Sequence, residues 1–176
     1  MKINKLFETA RLQQHKLFIP YITCGDPSLE ITEIIIKKLA LIGADVIELG
    51  VPFSDPLADG ITNQLSAHRA LQNNVSLKDC CGLIKKLRKQ NCLTPMVLFT
   101  YFNPILRMGI DDFATLANSS GIDAVLVVDL PIEEAADFVC TLNEKNIGTI
   151  FLIAPTTTSE RIKLSASLAT EFLYYV

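Results

Sequence analysis

Asp123-Ala124-Val125-Leu126-Val127-Val128-Asp129-Leu130-Pro131 is the stretch whose reading decides the fold. Ala124 to Val128 are all apolar, and Val125, Val127 and Val128 are β-branched, so the run offers no polar face to water. A strand of that kind belongs in a parallel sheet covered on both sides, whereas a half-exposed antiparallel strand alternates apolar with polar. Working outward, helical periodicity over 110–119 and 133–145 flanks it, followed by strands near Pro95–Tyr101 and Thr149–Ile153. Further strands are expected at Leu17–Thr23, Asp45–Leu49 and Glu171–Val176. Helices are expected up to about Ile42, with Pro27 in the first helical turn, and over 61–72, 76–89 and 158–168. Strands alternating with helices in this way build right-handed βα units.

Ahead of the first strand, residues 2–15 place Ile3, Leu6, Phe7, Ala10 and Leu12 among charges, an amphipathic helix suited to plugging one end of a barrel. Six βα units in 176 residues leave room for two more in the ~250 residues of an eight-unit barrel. The expected fold is therefore α/β: a (β/α)8 TIM barrel, incomplete here, with about six of eight βα units plus the N-terminal helix. Residues 1–176 are expected to form a single truncated domain. The alternative is an open six-stranded sheet. A barrel cut after Val176 is expected to leave strands 1 and 6 as unpaired edges.

Composition narrows the function classes. With 49% hydrophobic and 20% charged residues and a net charge of −3, the chain has apolar surface for one core and no basic stripe for nucleic acid. No stretch approaches the roughly 18 uninterrupted apolar residues of a membrane span, and the amino terminus lacks the apolar core of a signal peptide. A cytoplasmic location is expected, with no membrane partner. Cys24, Cys80, Cys81, Cys92 and Cys140 are odd in number and contain no CxxC spacing, so they are read as reduced core residues, with neither disulfide nor metal.

Active sites in parallel α/β folds form at the carboxyl ends of strands. There the sequence reads Asp45-Val46-Ile47-Glu48-Leu49-Gly50-Val51-Pro52-Phe53-Ser54-Asp55-Pro56-Leu57-Ala58-Asp59-Gly60. Alternation puts Val46, Glu48 and Gly50 on one strand face, a carboxylate among small residues. Facing inward, Glu48 would have a raised pKa and could both give and take a proton near neutrality; otherwise it is a carboxylate hydrogen-bonded to a neighbouring strand. Asp59 either reaches a substrate N–H or caps the helix starting near Ile61. Asp26, Tyr101, Asn103 and Asp129 stand at other strand ends, where each is equally suited to turn chemistry. His15 and His68 fall in helical patterns as solvent-facing residues, and no GxGxxG or phosphate loop is present.

Ile47 to Gly60, together with Pro20-Tyr21-Ile22-Thr23-Cys24-Gly25-Asp26-Pro27 and Thr100-Tyr101-Phe102-Asn103-Pro104, is similar in order, spacing and identity to tryptophan synthase alpha subunits. The resemblance spans essentially the whole chain, through Val128-Asp129-Leu130-Pro131-Ile132-Glu133-Glu134 and Leu152-Ile153-Ala154-Pro155-Thr156. It implies retro-aldol cleavage of indole-3-glycerol phosphate to indole and glyceraldehyde 3-phosphate, in tryptophan biosynthesis, without metal or organic cofactor in this subunit. Glu48 matches the family's general acid/base and Asp59 the carboxylate that binds the indole N–H. Tyr21, Phe99, Tyr101, Leu126 and Tyr174 match positions that line the indole pocket, though each would also serve as barrel core.

Asp55, Asn103 and Pro131 match the face that meets a pyridoxal-phosphate-dependent beta subunit, implying an α2β2 complex through which indole passes. Two departures accompany the matches. The family's phosphate site uses backbone N–H groups after strands 6, 7 and 8, beyond Val176, so substrate phosphate is not expected to bind here in the family's way. Ile61-Thr62-Asn63-Gln64 stands where the family usually has Pro first and an apolar residue third. A non-catalytic alpha-like subunit or fragment that binds and activates the beta subunit is the rival expectation.

Overall fold

The computed structural model describes residues 3–176. Six strands form one sheet: β1 (Tyr21–Thr23), β2 (Ile47–Gly50), β3 (Met96–Thr100), β4 (Ala124–Val127), β5 (Gly148–Ile153) and β6 (Leu173–Tyr175). They lie in sequential order, each pair parallel. A doubly wound sheet reverses its order at a switch point. Strictly sequential order is the winding of a barrel, with six of eight strands in place and β1 and β6 at the open edges.

The connecting helices are α2 (Leu29–Leu41), α3 (Ile61–Gln72), α4 (Leu77–Lys89), α5 (Phe102–Met108), α6 (Ile110–Ser120), α7 (Ala136–Glu144) and α8 (Ser159–Leu168), with α1 (Ile3–Leu12) ahead of the sheet. Strand alternation sorts the core into two layers. Ile47, Leu49, Met96, Leu98, Val125 and Val127 point outward, where Ile36, Ile84, Leu87, Phe113 and Leu142 of the helices cover them. Val46, Val97, Ala124, Leu126 and Ile150 point inward. Ile3 of α1 is fully buried against that inner layer, with Leu6 and Phe7 beside it, so α1 plugs the concave side. Burial of each such Ile or Leu contributes roughly 1.5–3 kcal/mol. Ser76 and Asp79 close a capping box on α4, and Ser28 and Thr158 cap α2 and α8.

Several expected boundaries move, each for a local reason. The 2–15 helix is described from Ile3 to Leu12, and Lys2 lies outside the described residues. β1 is short because Pro20 has no N–H; the carbonyls of Phe18 and Pro20 still accept from Asp45 and Glu48, at 3.0 and 2.9 Å. Pro27 precedes the α2 cap instead of entering the helix, and its bond to Asp26 is cis. α5 was unforeseen: Pro104 is its third residue, where the helix needs no N–H partner, although in sequence a proline reads as a breaker. The 133–145 helix divides into α7 and a 3₁₀ turn at Ile132–Glu134, held by i→i+3 bonds from the Glu134 N–H to the Pro131 carbonyl at 3.0 Å and from the Ala135 N–H to the Ile132 carbonyl at 3.3 Å. Cys24, Cys80 and Cys81 are buried as expected, but Cys140 is exposed and is not a core residue. His15 lies just past α1, not within it, and both histidines are exposed. Among the described residues, no helix is long and apolar enough to cross a membrane.

Candidate active site

β2 carries the central group. Glu48 is hydrogen-bonded through its backbone into the sheet, opposite Tyr21 of β1 and Val97 of β3. Its side chain shares the inward face with Val46, and only 1% of the residue is exposed. Oε1 is buried with no hydrogen-bond partner among the described residues. An ionised carboxylate is costly in that setting, and burial pushes Glu48 up to about 7. The reading of Glu48 as hydrogen-bonded to a neighbouring strand is thereby set aside at this oxygen. The group stands ready to hold or release a proton near neutrality.

The surroundings are aromatic and apolar. Tyr21 and Phe99 meet edge to face at 5.3 Å, Leu126 is fully buried on the inner layer, and Tyr174 is half-buried beside it. Burial raises the pKa of both Tyr21 and Tyr174, and the nearby charge of Glu48 adds to each. Tyr21 and Thr23 share a face, and Thr23 Oγ1 lies 3.5 Å from Tyr21 Oη and 2.6 Å from Ser66 Oγ on α3. β1, β2, β3, β4 and β6 thus bring Tyr21, Glu48, Phe99, Leu126 and Tyr174 onto one concave surface.

Asp59 reaches the site from the rim loop that follows β2. Its Oδ2 accepts a 2.7 Å hydrogen bond from Tyr101 Oη, which in turn accepts from the Ala58 N–H at 3.0 Å. The N-cap of α3 is Gly60, without a side-chain bond, so Asp59 is not the cap. Burial raises the pKa of Tyr21, and the charges of Asp59 and Glu48 add to the rise. Tyr101 is buried at 5% exposure and stacks on Phe53 at 4.9 Å. It therefore holds the loop, a tie that local sequence patterns did not indicate. Period-2 alternation from Phe99 to Tyr101 signalled its direction, and nothing local signalled its partner.

Asp26 and Asp129 make long-range ties, not the local turn bonds the sequence suggested: Asp26 accepts two 2.7 Å bonds from Arg69 of α3, and Asp129 accepts from the Phe102 N–H at the start of α5 at 2.7 Å. Asp55, Asn103 and Pro131 are exposed after β2, β3 and β4, on the same carboxyl-end rim. Beside them a groove of about 830 Å³ opens between residues 51–54 and α3, α4, α5 and α6. Its walls include Phe53 and Asn103 but neither Glu48 nor Asp59. Among the described residues, no group of three or more His, Cys, Asp or Glu is placed to hold a metal ion.

Comparison with known proteins agrees with this fold. The family model described as tryptophan synthase alpha chain matches residues 7–176. The tryptophan synthase alpha chain of Nitrosomonas europaea is 47% identical over 175 residues, covering 99% of this chain and 64% of the relative. That of Neisseria meningitidis is 47% identical over 167 residues, covering 95% and 64%. The crystal structure of the alpha subunit from Legionella pneumophila superposes with a TM-score of 0.95 at 39% identity, covering 100% of this chain and 68% of that one. The Pyrococcus furiosus tryptophan synthase complex gives 0.86 at 44% identity, covering 90% and 65%. The chain thus spans a little under two thirds of the length of the curated relatives it matches. On the family match, the identities and the shared barrel, this chain belongs to the tryptophan synthase alpha chain family.

Proposed function

We propose that this chain carries the acid/base machinery of a carbon–carbon lyase that cleaves indole-3-glycerol phosphate to indole and glyceraldehyde 3-phosphate. The observation that supports it most is the Glu48 carboxyl, buried on the concave face with an unpartnered oxygen and pushed up to about 7. In this reading protonated Glu48 delivers its proton to indole C3, giving a ring that carries positive charge shared with nitrogen. Asp59 accepts the indole N–H and stabilises that charge. Glu48, now a carboxylate, takes the proton of the glycerol hydroxyl next to C3. The carbonyl forms, the carbon–carbon bond breaks, and its electron pair restores the indole. Glu48 ends protonated, as it began, and the step needs no redox partner.

Tyr21, Phe99, Leu126 and Tyr174 enclose the ring in this reading. Asp55, Asn103 and Pro131 face a tryptophan synthase beta subunit in an α2β2 complex. Residues 1–176 are proposed as one truncated barrel domain, on the support of the continuous sheet. A cytoplasmic setting accords with five unpaired cysteines, the state that a reducing compartment maintains.

The test is indole release from indole-3-glycerol phosphate by the purified chain, alone and with beta subunit, for wild type and Glu48→Gln. Release that rises with the partner and is lost in Glu48→Gln is the expected result. No release under either condition, with beta-subunit turnover still stimulated, would sink the lyase and leave the non-catalytic activating subunit.

A further inference from the structure

The loop from Val51 to Gly60 is bound to the barrel at few points. Its start is fixed by the Val51 N–H on the Phe99 carbonyl, at 2.8 Å. Within the loop, Ser54 Oγ bonds Asp55, the Leu57 N–H bonds the Asp55 carbonyl, and the Asp59 N–H bonds the Pro56 carbonyl. These bonds shape the turn without attaching it to anything. Leu57, at its tip, is 93% exposed. Gln64 Nε2 donates to the Asp59 carbonyl, but Gln64 belongs to α3, which the loop enters directly. Beyond that, among the described residues, the far half of the loop is hydrogen-bonded to the sheet side of the molecule through one atom, Tyr101 Oη.

A phenol has one proton to give and lone pairs to receive. Here the proton goes to Asp59 Oδ2, and a lone pair takes the Ala58 N–H. Burial, and then the hydrogen bond to Asp59, raise the pKa of Tyr101, so the hydroxyl remains a donor across the physiological range. The ring holds the near half of the loop by stacking on Phe53. Tyr101 itself is rigidly placed: it follows β3 directly, it is the N-cap residue of α5, and the next N–H is bonded to Asp129. With Oδ2 committed to Tyr101, Asp59 has Oδ1 left to accept from a ligand.

We propose that Tyr101 is a positioning residue: its hydroxyl latches the 51–60 loop to β3 and orients Asp59 so that Oδ1 faces the substrate N–H. The latch stands on the contacts above, while the meaning given to Asp59 rests on the lyase reading. Two measurements keep the parts separate. Amide hydrogen exchange of the 176-residue chain reads the latch without turnover. In Tyr101→Phe, which keeps the stacking, exchange at Ala58 is expected to rise about fivefold, as loss of a neutral hydrogen bond of roughly 1 kcal/mol implies. Exchange at Val125 and Leu126 in β4 stays unchanged, showing the fold intact. Unchanged exchange at Ala58 would overturn the latch.

Lyase kinetics of the chain with beta subunit read the action through Asp59. Tyr101→Phe is expected to lower kcat severalfold with KM little changed, and to add nothing in an Asp59→Ala background. A full additional loss in that background would show that Tyr101 acts independently of Asp59 and overturn the positioning role. Wild type without any turnover would count against the lyase itself, and the exchange measurement would then decide the latch alone.

Discussion

Glu48 and Tyr21 are direct register partners across β2 and β1, and Tyr21 crosses over the strand to occupy the space above Gly50. A Cβ at Gly50 would fall on the Tyr21 hydroxyl and ring. The smallness of residue 50 thus lets the phenol lie beside the buried carboxyl, and the charge of Glu48 adds to the rise in the Tyr21 pKa.

Gly50→Ala is accordingly expected to displace the Tyr21 ring rather than strain the backbone. Overpacking of this kind costs about 1–3 kcal/mol. Denaturant unfolding should show the loss, and Gly50→Ala combined with Tyr21→Leu should recover most of it. A Gly50→Ala variant as stable as wild type would show that the ring is not held there.

The raised pKa of Glu48 makes a stability prediction. The folded state binds this proton up to about pH 7, the unfolded state only to about 4.5. Between those values the folded chain holds the extra proton, so its stability contribution falls as pH rises through that window and is fully lost above it. At about 1.4 kcal/mol per unit, the swing is on the order of 3 kcal/mol. Glu48→Gln, always neutral, should lack this dependence and be more stable than wild type at pH 8. Urea titrations at pH 5 and pH 8 measure it, and parallel behaviour of the two proteins would contradict the shift.

The direction of Glu48 was legible in the sequence because a strand has a side-chain period of two and Val46, Glu48 and Gly50 fall on one parity. The path of Asp59 was not. Cap and substrate ligand were equally good local readings of Asp59; the cap falls to Gly60, and the bond Asp59 does make is to a phenol 42 residues away. α5 was hidden for a similar reason, since Pro104 is a breaker or a first-turn residue according to where the helix begins. What periodicity encodes could be read; what a long-range contact selects could not.

Lyase turnover should follow the same titration with the opposite chemical meaning. Because the proposed cycle starts from protonated Glu48, kcat/KM is expected to decline as pH rises through about 7. A profile flat from pH 6 to 9 would remove Glu48 from the proton-donating role, even if the variant were inactive.

Arg88 provides a test of the scaffold that carries the site. From α4 its guanidinium donates to Asp123 Oδ2 at 2.6 Å and to the carbonyls of Cys92, Thr94 and Gly121 at 2.7, 2.8 and 2.9 Å. Those acceptors flank the starts of β3 and β4, and Asp123 also accepts the Met96 N–H at 2.8 Å. One side chain therefore ties a helix to two adjacent inner strands. Burial raises the Asp123 pKa in spite of Arg88 and the Met96 N–H, so without the guanidinium its carboxylate would be still harder to keep ionised. Breaking a fully buried pair costs about 3–5 kcal/mol. Arg88 is 20% and Asp123 30% exposed, so water recovers part of that. Arg88→Ala is expected to lose about 2–3 kcal/mol, a melting shift of roughly 4–12 °C for a chain of this size. Arg88→Lys should recover little, because one ammonium cannot span four acceptors in the guanidinium plane. Thermal unfolding of the two variants decides it: full recovery by lysine would reduce the contact to simple charge pairing.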